Sequence, residues 1–147
     1  MSTIRFSQAK TTQEILDVSC VFKQYTHKDL NHITVKECID NYPHILAYDN
    51  DNLIGFIYTN DFAPDILEIY NIFIHPDYRH QGIGTLMLQH MINNIKEKHQ
   101  GIIIINSDLY DNDKGFVIAP PFYTRNNFDI IAKTDNTTVL YRDLSRN

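Results

Sequence analysis

Tyr70-Asn71-Ile72-Phe73-Ile74-His75-Pro76-Asp77-Tyr78-Arg79-His80-Gln81-Gly82-Ile83-Gly84-Thr85-Leu86-Met87 is the stretch on which the reading of this chain turns. Ile72 to Ile74 is apolar and suits a buried strand. Pro76 stops that strand, because it has no N–H to give a ladder. Arg79, Gly82 and Gly84 then spell R-x-x-G-x-G directly before an amphipathic run. Glycines accept backbone conformations that other residues resist, so successive N–H groups can converge on one point. A helix beginning behind them adds unsatisfied N–H groups and a partial positive charge. Strand, glycine loop and helix together predict an anion site suited to a phosphate or pyrophosphate. Arg79 would add a permanent cation with a fork geometry for phosphate oxygens.

Other glycine-loop classes fit less well. No Lys-Ser/Thr follows Gly84, so this is not a Walker loop, and Met87 stands where a dinucleotide fingerprint needs its third glycine. Taken alone, the loop could also be a helix-capping turn with a surface arginine. Its surroundings extend the pattern. Residues 66–74 read as a long central strand. The helix is predicted over about 83–98, with Ile83, Leu86, Met87, Met91 and Ile95 at three- and four-residue steps and Leu88 and Ile92 widening the stripe. Gly101 stops it, and the β-branched run 102–105 reads as a strand buried on both faces. Strand, helix and strand form a βαβ crossover, so the second strand should run parallel to the first.

Upstream, residues 4–6 alternate as a short first strand. Thr11-x-x-Glu14 is a capping box, predicting a helix that buries Ile15, Val18 and Phe22, has Leu16 and Cys20 beside them, and fades near Gln24. Thr34-x-x-Glu37 is a second box, opening a shorter helix with Val35, Cys38, Ile39 and Tyr42 inward and Pro43 at its end. Residues 44–48 and 53–59 read as a hairpin around the Asp/Asn turn 49–52, with Gly55 marking a bulge or a close backbone approach. Residues 61–65 and 107–115 read as loops. Residues 128–133 and 137–141 are the last two strands, joined by a turn at Asp135-Asn136. Pro120-Pro121 cannot sit inside a helix, so the last helix is expected to be short and to start at about Pro120.

The 147 residues suggest one domain, and 43% hydrophobic with 12% aromatic content is enough for a real core. The net charge of −5 argues against nucleic acid as a partner and suits a cationic substrate such as an amine. No apolar segment follows Met1-Ser2-Thr3-Ile4-Arg5, so no signal peptide is expected. The longest apolar run, residues 53–58, is far short of the ~20 residues that span a bilayer, so no membrane association is expected. Cys20 and Cys38 form no C-x-x-C and read as small buried hydrophobes, which fits a reduced cytoplasmic setting. His27 and His32 fall in the loop between the first two helices, without further ligands at metal spacing, so no metal is expected.

Residues 72–84 resemble the acetyl-CoA-binding motif of the GNAT superfamily of N-acetyltransferases: an apolar strand, then h-P-x-x-R-x-x-G-x-G/A, then a helix. Ala119-x-x-Phe122-Tyr123-Thr124-Arg125-Asn126-Asn127-Phe128 resembles the A-x-x-F-Y-x-K-x-G-F segment of the same family. The two matches stand in the family's order. The resemblance implies an α+β fold: a mixed, largely antiparallel sheet of six to seven strands flanked by about four helices, with a parallel, splayed central strand pair. It implies transfer of the acetyl group of acetyl-CoA to a primary amine on a small molecule or peptide, by direct attack in a ternary complex. A non-catalytic acyl-CoA-binding or regulatory module on the same scaffold is the alternative, and homodimer formation is left open.

The resemblance also assigns residues. The backbone of Ile72, Phe73 and Ile74 would pair with the pantetheine arm as a pseudo-strand. The pyrophosphate would rest on the amides of Gln81, Gly82, Ile83, Gly84 and Thr85, next to Arg79 and His80. The region of Tyr25, His27 and His32 would wall the acceptor pocket. Phe116 stands where the family usually has an Asn that touches the cofactor; Asn112 or Asn106 is the expected substitute. Glu68 lies six residues before Ile74, which predicts a shared face with Ile72 and Ile74. It is either the general base, directly or through water, or a structural glutamate paired across the sheet. Tyr123 would protonate the departing thiolate, or else is an amphipathic-helix residue beside a core Phe122.

Overall fold

A computed structural model describes residues 3–107 and 120–145. Asn112, Phe116 and Ala119, and most of the polar loop over 107–115, lie outside the described residues. The order is β1 (Ile4–Ser7), α1 (Thr12–Thr26), α2 (His32–Asn41), β2 (His44–Asp49), β3 (Asn52–Ala63), β4 (Ile66–Ile74), a 3-10 turn (Pro76–Tyr78), α3 (Ile83–Ile95), β5 (Gly101–Ser107), α4 (Pro120–Arg125), β6 (Asp129–Lys133) and β7 (Thr137–Asp143). The seven strands form one sheet in the order β1-β2-β3-β4-β5-β7-β6. Among the described residues only β4 and β5 run parallel, as the βαβ reading expects. The fold is thus the α+β class with a mixed, mainly antiparallel sheet.

Two apolar layers cover the sheet. On one face α1 and α2 bury Ile15, Val18, Phe22, Val35, Cys38 and Ile39 against Leu46, Phe56, Tyr58 and Phe73. On the other, α3 buries Ile83, Met87, Leu88, Met91, Ile92 and Ile95 against Ile54, Ile57, Leu67, Ile69, Ile72 and Ile74, with Tyr123 of α4 in the same cluster. Each strand sends alternate side chains to opposite layers, which is why the central strands are mostly apolar on both faces.

Local signals place most helix starts. Thr11 caps α1 by accepting the Glu14 N–H at 3.2 Å, while Glu14 reaches back to the Lys10 amide at 2.9 Å. The helix runs past Gln24 to Thr26 and ends at His27 in a left-handed conformation, φ 61°. The second helix starts earlier than its Thr34 box suggests. Asn31 accepts the Thr34 N–H at 3.0 Å, so His32 is helical rather than in a loop. Tyr42, expected inward, is the half-buried C-cap of α2. Leu16, Cys20 and Leu86 were expected to face or border the core and are exposed instead, because each lies at the margin of an apolar stripe that a single sheet face covers. Ile105 is likewise exposed, not buried with the rest of its strand.

The β3 strand is longer than its apolar run. It continues through Asn60, Asp61 and Phe62 to Ala63, where a loop was expected, because these residues pair with 66–68 of β4. Gly55 meets both expectations placed on it. The β2–β3 register shifts beside it, and a Cβ at residue 55 would lie 2.9 Å from the Phe73 carbonyl oxygen. Among the described residues no helix is long and apolar enough to cross a membrane.

Candidate active site

The β4–β5 ladder is short. It pairs Ile66 with Gly101, Leu67 with Ile102 and Glu68 with Ile103, and then ends. Beyond that point β4 stays with β3 and β5 stays with β7. The strands part around a cavity of about 270 Å³, lined by 69–72 of β4 and 104–107 of β5. Tyr123, only 1% exposed, closes it on the α3/α4 side. Phe22, Lys28, Asp29, Leu30 and Tyr58 line it from the α1/α2 side. The cavity therefore joins the two faces of the sheet.

A bulge decides which way the strand presents its side chains there. Tyr58 pairs with Asn71 and Thr59 with Ile69, so Tyr70 is an extra residue in β4. One inserted residue inverts the alternation on either side of it. Leu67 and Ile69 before the bulge and Ile72 and Ile74 after it all join the α3 layer. Glu68, opposite Asn60, belongs to the other face, with Phe73 and Tyr58. The expectation that Glu68 shares a face with Ile72 and Ile74 is thus corrected: counting by twos fails across Tyr70. Glu68 is half-buried, and burial raises its carboxyl above the ordinary range. It does not line the cavity. Tyr58 does, and burial pushes its phenol up to about 12, so it stays neutral. Asn71 donates to the Tyr58 hydroxyl at 3.4 Å.

The glycine loop is built where β4 ends. The Arg79 Nε donates to the Ile74 carbonyl at 3.0 Å, holding the side chain along the strand end, and burial lowers its pKa from the ordinary value. Tyr78 donates to Asp49, tying the turn to β2. His80 and Gly82 are both left-handed, φ 61° and 78°. Such left-handed residues turn neighbouring amides toward one concavity. Gly82 is the N-cap of α3, without a side-chain cap, and its carbonyl accepts the Leu86 N–H at 3.0 Å. The amides of Ile83, Gly84 and Thr85 lie in the first turn, where an α-helix provides no internal acceptor. Gln81 is exposed and donates through Nε2 to the Asp77 carbonyl at 3.2 Å.

Gly84 has a different reason for being glycine. It is buried in the first turn of α3, and a Cβ there would come within 3.0 Å of the Phe122 ring. The loop and α4 are therefore in direct contact. The Pro120-Pro121 pair opens that short helix as expected. Tyr123 is packed edge-on between Phe122 and Phe128, at centroid distances of 5.3 and 5.5 Å.

The acceptor-wall residues named from sequence are not brought together. Tyr25 packs on His75 at 4.3 Å and lines a separate hollow of about 450 Å³ beside α1. His27 and His32 are exposed at helix ends, and neither lines a cavity. Their neighbours Lys28, Asp29 and Leu30 line the central cavity instead. Asn106, also on the cavity wall, is 6% exposed, and its Nδ2 has no hydrogen-bond partner among the described residues. A carboxamide closing a run of four isoleucines was the sequence signal for it. Among the described residues no group of three or more His, Cys, Asp or Glu could hold a metal ion.

The overall fold has counterparts among solved structures. The fold is similar to the ribosomal-protein-S18-alanine N-acetyltransferase from Escherichia coli, with a TM-score of 0.78, 16% identity, and 99% of this chain and 96% of that one covered. It is similar to the PaiA N-acetyltransferase from Thermoplasma acidophilum, solved in complex with coenzyme A, with a TM-score of 0.70, 17% identity, and 96% and 99% covered. It is similar to Arabidopsis thaliana Naa50, solved with the bisubstrate analogue CoA-Ac-MVNAL, with a TM-score of 0.75, 16% identity, and 95% and 98% covered. No curated protein matches by sequence. A family model described as an acetyltransferase (GNAT) domain matches residues 40–130, from the end of α2 to β6 and including the glycine loop, the splay and α4; the chain belongs to the GNAT acetyltransferase family.

Proposed function

We propose that this acetyltransferase moves the acetyl group of acetyl-CoA to a primary amine by direct attack within a ternary complex. The observation that carries the reading is the cavity through the sheet where β4 and β5 part. Tyr123 of α4 walls it from one face of the sheet and residues 28–30 of the α1–α2 connection from the other. Donor and acceptor can therefore enter from opposite faces and meet, and most of the acceleration comes from holding them together. The solved complexes of PaiA with coenzyme A and of Naa50 with a CoA-linked peptide analogue support the donor.

The residues fit that donor. Two left-handed residues and the first turn of α3 offer the amides of 81–85 to a diphosphate, beside Arg79 and His80. The edge of β4 through Ile72, Phe73 and Ile74, unpaired with β5, offers main-chain groups to an extended arm carrying amides. When bound, acetyl-CoA supplies an activated acyl thioester. Glu68 faces the acceptor side but stands off the cavity wall, so it removes the amine proton through water rather than by contact. Its burial helps, because a raised pKa makes a carboxylate a stronger base near neutrality. Tyr123 lies on the cavity wall and donates a hydrogen bond to the departing thiolate, sharing its proton as charge builds on sulfur. Lys28, Asp29, Leu30 and Phe22 shape the acceptor side.

The test is thiol release from acetyl-CoA against a panel of primary amines, from polyamines and amino acids to peptide N-termini. Amine-dependent release is expected, slowed at least tenfold by Tyr123→Phe, within the range for lost acid catalysis. Tight CoA binding with no amine-dependent release across the panel would make the chain a binding module instead.

A further inference from the structure

Tyr58 of β3 has no part in the mechanism above, although its hydroxyl stands where the amine must enter. The side chain is 4% exposed and lines the cavity from the α1/α2 side. Asn71, its partner in the β3–β4 register, donates through Nδ2 to the Tyr58 oxygen at 3.4 Å. That bond uses one lone pair of the oxygen and holds the phenol against β4. The O–H proton has no acceptor among the described residues. A phenol this buried normally donates its proton to a partner, so the open donor on the cavity wall marks a place for a water or a ligand.

Register also sets Tyr58 beside Glu68. Tyr58 and Asn60 are two apart on β3 and share a face, and Asn60 pairs with Glu68. Glu68 and Tyr58 are therefore diagonal neighbours across the ladder, a spacing of about 7–8 Å that a long side chain and a water can span. A shared neighbour agrees. The Cys38 thiol of α2 is pushed up to about 11 by burial and then by the charges of Glu37 and Glu68, and Cys38 in turn acts on Tyr58. Of the pair, Tyr58 lines the cavity and Glu68 does not. An alkyl ammonium, with an ordinary pKa of about 10.4, or a peptide α-ammonium, with one of about 8, must lose a proton before its nitrogen can attack. We infer that Tyr58 relays that proton: its oxygen accepts the N–H of the entering ammonium while its own O–H passes a proton, through water, to the Glu68 carboxylate. The nitrogen keeps the lone pair that attacks the thioester, Glu68 ends protonated, and the phenol ends as it began. The two transfers are concerted, because a phenol pushed up to about 12 by burial does not ionise near neutrality. This rests on the proposed acetyl transfer with Glu68 as the base.

The experiment follows thiol release at saturating acetyl-CoA for the parent, Tyr58→Phe, Glu68→Gln and the double variant, with each polyamine, amino acid or peptide that the parent turns over. The pH runs from about 6 to 10, which brackets the α-amine. Lys28 and Asp29 on the same cavity wall, and Glu37 on α2, are common to all four proteins, so a ratio of rates at one pH cancels their titration. Tyr58→Phe should lower kcat about 10²-fold below the amine's own pKa, in the range for lost proton transfer, and the deficit should close as pH rises past that pKa and the amine arrives neutral. The double variant should be no slower than the slower single one, because both changes break one relay. CoA affinity by calorimetry should match the parent's. An unchanged rate in Tyr58→Phe, a deficit that is constant with pH, or losses that add in the double variant would overturn the relay. Should Tyr58→Phe fail to fold, Asn71→Ala keeps the phenol and frees its oxygen; a loss with the same pH dependence supports the relay and an unchanged rate overturns it. A parent without amine-dependent release would overturn the transfer reading, and Glu68→Gln as fast as the parent would overturn the base assignment; the relay falls with either.

Discussion

Gly84→Ala adds one methyl group where Phe122 leaves little room, and it connects the glycine loop to the chemistry. The new Cβ would lie 3.0 Å from Phe122 Cε1 and 3.3 Å from Cζ. An unstrained carbon–carbon contact is about 3.5–4.0 Å, so the ring must recede by roughly 0.5 Å. Phe122 adjoins Tyr123 in α4 and meets its ring edge-on, so the shift passes to the phenol. A catalytic group misplaced by 1 Å costs on the order of 10²-fold, so half that shift corresponds to about tenfold in kcat, or ~1.4 kcal/mol. Stability should barely change, because the ~1 kcal/mol helix preference of alanine over glycine offsets an overpacking cost of similar size. The assay is thiol release at saturating acetyl-CoA and amine, with CoA calorimetry and thermal unfolding on the same samples. The expected result is kcat down about tenfold with CoA affinity and melting temperature nearly unchanged. In a Phe122→Leu background the same substitution should cost much less, since the ring it strikes is gone. An undiminished kcat, or an equal loss in both backgrounds, would refute the reasoning.

Glu68→Gln should lower kcat and remove the acid limb of the pH–rate profile, a limb that burial places above the ordinary carboxylate range of about 4.3 in the parent; identical limbs in both proteins would exclude it as the base. A carboxyl whose folded pKa is raised costs stability as pH rises from its unfolded to its folded pKa, so the variant should gain stability over the parent above that window and not below it, as read by unfolding at acid and neutral pH. Gly82→Glu should weaken CoA binding through charge and through a left-handed φ of 78°, a strain of about 1–2 kcal/mol, whereas Gly82→Asn should be milder by calorimetry. Gly101→Ala places a Cβ 2.1 Å from the Tyr141 hydroxyl oxygen and should cost about 1–3 kcal/mol in denaturant unfolding, much of it lost in a Tyr141→Ala background.

Features set by neighbours in the chain were legible without the fold. The Thr11 cap, the Pro76 stop, the left-handed Gly82, the short α4 opened by Pro120-Pro121 and the parallel β4–β5 pair all follow from local sterics or from the handedness of a βαβ unit. The central strand and the loop behind it could be located the same way. Tyr25, His27 and His32 do not meet at one wall, because a segment's position does not say which of its side chains turn inward.

By itself the sequence determined the family, the element order and the loop of amides at the head of α3, since periodicity, capping and glycine placement act over a few residues. The tertiary structure alone decided which face Glu68 takes, because the Tyr70 bulge exists only as a mismatch between β4 and β3. It alone showed that Gly84 makes room for Phe122 and that Asn106 keeps an unmatched donor on the cavity wall. Contacts and register between distant segments are properties of the packed chain, and no local pattern encodes them.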